Sequence, residues 1–148
     1  MGDSFLDIRK WLDERKLIGV KLGLTNCEIM LQRLNNPHLE FPSIHVAGTN
    51  GKGSLCVQLS AIACANNLKV GLFTSPHLIT IEERIRINGI PISPAEFDKF
   101  LNIIRDASLI YPVCNPTFFE VTFLLSMLAF KENNICLLYT SPSPRDSD

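Results

Sequence analysis

Residues 43–54 read SIHVAGTNGKGS, and they are the part of the sequence that says most about the fold. A short β-forming run from Ser43 to Ala47 leads directly into a loop with three glycines, one lysine and a hydroxyl side chain. Leu55 to Asn67 then predicts a helix, and the apolar run from Val70 to Phe73 predicts a strand. Strand, glycine loop, helix and strand within about 30 residues form a βαβ unit with buried parallel strands. We therefore predict an α/β domain, a parallel sheet flanked by helices.

The loop that follows the first predicted strand has the composition of a phosphate-binding loop. Its glycines let backbone N–H groups turn toward an anion, the helix N-terminus adds partial positive charge, and Lys52 reaches the β- and γ-phosphates. In the common pattern G-x-x-x-x-G-K-[ST] the hydroxyl follows lysine directly, whereas Gly53 intervenes here. The alternative is a glycine-rich turn with an ordinary surface lysine. The predicted phosphate-binding residues are Gly48, Thr49, Asn50, Gly51, Lys52, Gly53 and Ser54.

Helices are predicted on both sides of this unit. Amphipathic patterns run from Ser4 to Arg15, and from Thr25 to the break at Asn35-Asn36-Pro37. Ser93 with Glu96, and Thr117 with Glu120, are capping boxes that begin two further helices. The last of these is apolar on nearly all sides, which is typical of a helix packed in the middle of a domain.

A hairpin is predicted between the second strand and these later helices. Residues 84–87 alternate in polarity and meet Ile90-Pro91-Ile92 across Asn88-Gly89, a dipeptide that suits a two-residue turn. Arg84 and Arg86 have two interpretations. They bind a substrate carboxylate, or they lie on the solvent face of this hairpin.

Composition limits the classes of partner. The 148 residues carry a net charge of -1, with interspersed charges, so a nucleic acid or an anionic membrane surface is not an expected partner. The longest uncharged stretch, Gly53 to Leu68, is polar in part and too short to span a bilayer. The acidic first fifteen residues do not resemble a secretory signal. Five widely spaced cysteines without a C-x-x-C pair indicate reduced thiols rather than disulfides or a zinc site.

Several motifs in order resemble one family. Ile44 to Ser54 closely resembles the P-loop of folylpolyglutamate synthases and dihydrofolate synthases, and more distantly that of the muramyl peptide ligases, including the extra glycine. Phe73 to Leu78 (FTSPHL), Glu83 to Gly89 (ERIRING) and Thr117 to Glu120 (TFFE) are similar to later segments of the same family. The resemblance extends from about Phe5 to Ile135. Ser-Pro-His after the second strand separates the folate ligases from the muramyl enzymes.

The resemblance implies the N-terminal ATP-binding domain of an ATP-dependent ligase, with ATP and Mg²⁺ as cofactors. Such enzymes transfer the γ-phosphoryl group of ATP to a folate or dihydropteroate carboxylate, and the amine of L-glutamate attacks the resulting acyl phosphate. Lys52 is then the catalytic residue of this segment. The implied parent enzyme is monomeric and cytoplasmic, with an organellar pool if it is eukaryotic. Its partners are small molecules rather than nucleic acid or membrane.

The resemblance also implies metal and substrate residues. It makes Ser75 a direct Mg²⁺ ligand, whereas the general P-loop rule would place Ser54 at the metal; a simple turn is the other explanation of Ser75-Pro76. The segment TFFE is implied to contact the pterin ring, although its capping box needs no ligand. His77 is a further substrate candidate, or it caps the turn. The implied substrate residues are Thr117, Phe118, Phe119, Glu120, His77 and Arg84.

The resemblance ends after Ile135. The family continues with a buried strand and Glu-x-Gly-x-Gly-Gly, whereas this chain runs into Pro-rich polar residues. We therefore expect a truncated domain at residues 1–136 and a foreign or disordered tail at 137–148. The sheet would stop at its third or fourth strand, with an unpaired edge and an uncovered apolar helix. The segment would be inactive alone. A non-catalytic nucleotide-binding module is the alternative function, and the genomic sequence beyond codon 135 tests the tail.

Overall fold

The computed structural model describes residues 2–19, 24–40, 43–45, 58, 61–63, 65–135 and 137–141. The glycine loop from Gly48 to Ser54 lies outside the described residues, so the predictions for Lys52 and its neighbours stay predictions. Within the described part, no helix is long and apolar enough to cross a membrane.

Five strands form one sheet. They are β1 (Ser43–His45), β2 (Val70–Thr74), β3 (Ile85–Ile87), β4 (Ile90–Pro91) and β5 (Leu137–Ser141), in the spatial order β1-β5-β2-β3-β4. β5 pairs in parallel with both β1 and β2, and the hairpin β3–β4 continues the sheet in antiparallel fashion. A parallel sheet with helices confirms the predicted α/β class, and the hairpin adds a small antiparallel extension.

β5 lies directly after the predicted domain boundary. Residues 137–141, which the sequence analysis assigns to the tail, form the strand between β1 and β2, and the boundary at residue 136 stays a prediction. Leu137 pairs with Val70 and Ser141 with Thr74, so both edges of β5 have a hydrogen-bonded neighbour. The polar side chains of Thr140 and Ser141 do not prevent this pairing, because the hydrogen bonds of a sheet join main-chain groups. Residues 142–148 lie outside the described part of the chain.

The described part of the chain contains four α-helices. They are α1 (Gly2–Glu14), α2 (Thr25–Arg33), α3 (Pro94–Ser108) and α4 (Phe118–Glu132); residues 58, 61–63 and 65 are also helical. α1 begins at Gly2 rather than at the predicted Ser4. α2 begins at Thr25, as predicted, but the residue before it, Leu24, makes no side-chain cap. In α3 the N-cap half of the predicted capping box is confirmed, because Ser93 Oγ accepts the Glu96 N–H at 3.1 Å. Single-turn 3₁₀ helices occupy Arg15–Ile18, Pro37–Glu40 and Ile81–Arg84.

α4 lies in the middle of the helical layer. Val121, Leu124 and Leu125 are fully buried, and α1, α2 and α3 all contact this helix. Two buried hydroxyls, on Thr122 and Ser126, donate to carbonyls three residues earlier in the helix, so they do not oppose burial. The expectation of an uncovered apolar helix is therefore wrong. The two N-terminal helices, α1 and α2, pack against it.

The hairpin fixes the turn that precedes it. Asn88 and Gly89 have positive φ angles of 52° and 82°, as a two-residue turn of this kind requires. The side-chain oxygen of Asn88 accepts the Val70 N–H at 2.9 Å, which ties the hairpin to the start of β2. At the other end Phe73 pairs with Ile85. The 3₁₀ turn Ile81–Arg84 is therefore held beside the carboxyl end of β2.

Candidate functional site

The carboxyl ends of three parallel strands lie at one edge of the sheet. β1 ends at His45, three residues before the glycine loop begins in the sequence, and β2 ends at Thr74, directly before the half-buried Ser75. In open α/β sheets, ligands bind outside this edge. The topology thus places Ser75 on the expected side of the sheet.

A hydrogen bond joins two of the predicted substrate residues. Arg84 Nε donates to His77 Nδ1 at 2.8 Å, across the segment between β2 and the 3₁₀ turn. Arg84 is only 1% exposed and belongs to the turn rather than to β3. The solvent-face interpretation is therefore wrong for Arg84, whereas Arg86 lies half-buried in β3 itself. Arg84 is the last residue of the 3₁₀ turn, and β3 begins at Ile85. The alternation of inward and outward side chains in the strand therefore does not determine the direction of Arg84.

Phe118 joins this pair to the start of α4. The Arg84 guanidinium carbon lies 5.2 Å from the centre of the Phe118 ring, a cation–π distance. Lys16, from the turn after α1, places its Nζ 4.9 Å from the same ring centre. The segments that carry His77, Arg84 and Phe118 are thus in contact, as one site requires. Lys16 was not predicted, because nothing in its local sequence distinguishes it from other surface lysines.

The segment TFFE forms the predicted capping box. Thr117 Oγ1 accepts the Glu120 N–H at 3.2 Å, and Glu120 Oε1 accepts the Thr117 N–H at 2.8 Å. Thr117, Phe118 and Glu120 are buried, whereas Phe119 is half-buried and contacts Phe73 edge-on with the ring centres 5.8 Å apart. The capping interpretation is confirmed. Contact with a pterin ring is not tested by this geometry and stays a prediction, for which Phe119 is the accessible member.

Cys27 contacts the same capping box from α2. Its Sγ lies 3.7 Å from Glu120 Oε2, so the thiol donates to the second carboxylate oxygen. Burial, together with the negative charge of Glu120, raises the pKa of Cys27 to about 12. Sequence reasoning missed this contact, since the two residues are 93 positions apart.

Glu83 holds the segment between His77 and the 3₁₀ turn. Its carboxylate accepts three backbone N–H groups: Leu78 at 2.9 Å, Ile79 at 3.1 Å and Thr80 at 2.9 Å. These hydrogen bonds, first those from Thr80 and Leu78, lower the pKa of Glu83. Thr80 and Glu83 form a capping box, which was not predicted although the spacing T-x-x-E indicates one.

The described residues supply few ligands for a metal ion. Among them, no group of three His, Cys, Asp or Glu side chains is placed to hold one. Mg²⁺ prefers oxygen ligands, retains several waters and is commonly bound through substrate phosphates with few protein groups. The Ser75 hydroxyl at the carboxyl end of β2 fits that mode of binding.

Known proteins with similar sequences and structures all point to one family, although no protein-family model matches the chain. The dihydrofolate synthase/folylpolyglutamate synthase of Bacillus subtilis is 37% identical over 135 residues, which cover 89% of this chain and 31% of the relative. The Mycobacterium tuberculosis folylpolyglutamate synthase complexed with ADP superimposes with a TM-score of 0.83 at 30% identity, over 94% of this chain and 32% of that one.

A third similar protein carries more ligands. A bifunctional folylpolyglutamate synthase/dihydrofolate synthase with Mn, AMPPNP and L-glutamate bound has a TM-score of 0.81 at 31% identity, over 90% of this chain and 32% of that structure. The chain thus spans about a third of the length of the proteins it matches.

Proposed function

Because the chain belongs to the folylpolyglutamate and dihydrofolate synthase family of the Mur ligase superfamily, we propose that it supplies the nucleotide-binding part of an ATP-dependent ligase. That ligase joins L-glutamate to a carboxylate of folate or dihydropteroate. The ADP, AMPPNP and L-glutamate bound to its structural relatives support this choice of ligands.

One observation carries the proposal. The contacts among His77, Arg84 and Phe118 bring together three sequence segments at the edge of the sheet where α/β proteins bind ligands. Each of these segments resembles a motif of the family. A domain that only needed a stable core would not require a buried arginine to link a loop histidine to the start of a helix.

The proposed reaction has two steps. A carboxylate oxygen of the pteroyl substrate attacks the γ-phosphorus of ATP, which gives an acyl phosphate and releases ADP. The amine of L-glutamate then attacks the acyl carbon, and inorganic phosphate leaves as the amide forms. Phosphoryl transfer depends mainly on positioning and on neutralising charge, so we assign Lys52 and the N–H groups of the glycine loop to the β- and γ-phosphates.

Two serines are assigned to the nucleotide side of the site. We propose Ser75 as the protein ligand of the magnesium ion and Ser54 as a phosphate contact. When bound, Mg²⁺ would neutralise phosphate charge. The position of Ser75 directly after β2 supports this assignment, because the rigid strand positions the hydroxyl that follows it.

The pteroyl side of the site is assigned to the start of α4. Of the four residues Thr117 to Glu120, Phe119 is the one with exposed ring surface, and a flat heterocycle can stack on it. Thr117 and Glu120 instead hold the first turn of the helix in place through their reciprocal hydrogen bonds. Arg84 holds His77 through its Nδ1, which restricts the orientation of the imidazole.

Replacement of Lys52 tests the nucleotide assignment. In Lys52→Ala we expect the affinity for AMPPNP with Mg²⁺, measured by calorimetry, to fall roughly 10- to 100-fold, as loss of a charged hydrogen bond does. The circular dichroism spectrum should not change, since a loop lysine contributes no core contact. Lys131→Ala, at the exposed end of α4, is the matched control and should bind normally.

The outcomes separate the alternatives. Unchanged affinity in Lys52→Ala would remove this lysine from the site. Binding of nucleotide without binding of folic acid by the unsubstituted chain would favour the non-catalytic nucleotide-binding module over the ligase.

A further inference from the structure

The segment Leu78–Thr80 is held in an unusual way. Its three consecutive backbone N–H groups all point to one carboxylate, that of Glu83, rather than to a strand or a helix. The neighbouring Arg84 holds His77 by a side-chain hydrogen bond. The chain after β2 is thus fixed to the 3₁₀ turn at two places, by two adjacent residues with opposite charges.

The same segment presents apolar side chains to solvent. Leu78 is 92% exposed and Ile79 is 85% exposed, so neither contributes to the core. Single exposed apolar residues are ordinary on protein surfaces. Here two adjacent ones are fixed on an ordered backbone, next to His77 and three residues after Ser75. Ordering a backbone costs conformational entropy, and no burial of these two side chains offsets it.

We propose that Glu83 is a positioning residue of the substrate site: its carboxylate holds the segment so that Leu78 and Ile79 form an apolar wall for the pteridine ring of the substrate. The inference rests on the proposed function, and it adds a residue that acts through the backbone of its neighbours. Glu82, beside Glu83 in the turn, cannot take this role because its carboxylate pairs with Arg9 at 2.8 Å.

The first measurement is hydrogen exchange at the three amides in the whole chain. In Glu83→Ala, which removes both acceptor oxygens, we expect exchange at Leu78, Ile79 and Thr80 to accelerate about tenfold or more. Glu83→Gln keeps one acceptor oxygen and should give an intermediate rate. Glu96→Ala removes the corresponding glutamate from the first turn of α3 and should change none of the three.

The second measurement is ligand affinity by calorimetry, with folic acid and with Mg²⁺-AMPPNP as probes. In Glu83→Ala we expect the Kd for folic acid to rise about tenfold, while the Kd for the nucleotide stays within about twofold. If Glu83 only stabilised the fold, its replacement would lower the affinity for both ligands alike. Glu83→Gln should again lie between the alanine variant and the unsubstituted chain, and Glu96→Ala should bind both probes normally.

Each other outcome rejects the inference. Unchanged exchange in Glu83→Ala shows that the carboxylate does not hold the segment, and unchanged affinity for folic acid shows that the segment does not serve the substrate. Equal losses for both probes indicate general destabilisation. If the unsubstituted chain binds no folic acid, the proposed function fails and this inference fails with it; binding by that chain together with normal binding by Glu83→Ala rejects the inference alone.

Discussion

The carboxylate of Glu120 accepts two different hydrogen bonds, one in the cap of α4 and one from Cys27. One carboxylate oxygen caps α4 through the Thr117 N–H, and the other accepts the thiol of Cys27 from α2. The thiol can donate only while it is protonated. Burial and the adjacent carboxylate both oppose the thiolate, so the fold keeps Cys27 as a hydrogen-bond donor at neutral pH.

The raised pKa of Cys27 predicts low reactivity. With a pKa of about 12, the thiolate fraction at pH 8 is minute, and we expect iodoacetamide to alkylate Cys27 more than about 100-fold more slowly than a free cysteine. Mass spectrometry of the alkylated peptide measures this rate. The same chain unfolded in urea is the control and should react at the ordinary rate. Equal rates in the two states would contradict the buried hydrogen bond.

The raised pKa of Cys27 also makes the free energy of unfolding depend on pH. The folded value lies above the ordinary value of 9.0, so the contribution to stability is complete below about pH 9 and is lost as the pH rises toward 12. Cys27→Ser keeps a donor that does not titrate in this range. Between pH 9 and 12 the free energy of unfolding should therefore fall less steeply in Cys27→Ser than in the unsubstituted chain.

At the scale of the elements, β2 and α4 approach each other at a glycine. A Cβ atom at Gly71 in β2 would lie 2.6 Å from Cδ1 of Phe130 and 2.7 Å from Cδ1 of Ile135. Both side chains are buried, so neither can move without disturbing the core. The close packing of α4 on β2 therefore depends on glycine, which has no side chain, at position 71.

Gly71→Ala should destabilise the chain by about 1–3 kcal/mol, the usual cost of overpacking a core. Urea unfolding followed by circular dichroism measures this change. Ile135→Val removes the Cδ1 methyl that the new Cβ would meet, so the double variant should lose less stability than the two single variants together. Strictly additive losses would show that the predicted clash with Ile135 does not occur.

At the scale of the whole molecule, Arg9 ties distant elements together. From α1 it donates to Asp98 in α3 at 2.5 Å and to Glu82 in the 3₁₀ turn at 2.8 Å, and its guanidinium lies over the ring of Phe97. Oδ2 of Asp98 is buried and has no hydrogen-bond partner among the described residues, so the contact of Oδ1 with Arg9 is the ion pair that this carboxylate makes there. The N-terminal helix is thus coupled to the turn that carries Glu83 and Arg84.

Arg9→Met should cost about 2–3 kcal/mol of unfolding free energy, because it leaves two largely buried carboxylates without this cation. Lys99→Met is the matched control. It breaks an ion pair with Glu132 of similar length, 2.6 Å, whose side chains are about half exposed, so its loss should cost less than about 1 kcal/mol. Equal costs for the two variants in urea unfolding would show that burial does not strengthen the Arg9 contacts.

Local features of this protein were determined by the sequence alone. The Asn88-Gly89 turn, the helix N-caps at Ser93 and Thr117 and the strand at β2 were predicted because each depends on hydrogen bonds or torsion angles within a few residues. The order of motifs likewise indicated the family. The same local reasoning did not predict β5, since pairing, not side-chain polarity, decides whether a short segment joins a sheet.

Only the tertiary structure decided what these elements bring together. β5 pairs with residues of β2 and β1 that precede its own by 67 and 95 positions. Cys27 meets Glu120 across 93 positions, and Arg9 meets Asp98 across 89. The inward turn of Arg84 toward His77 and Phe118 also depends on where the hairpin packs. Such contacts depend on how several helices pack together and against the sheet. Because these elements are far apart in the chain, no short stretch of sequence predicts the contacts.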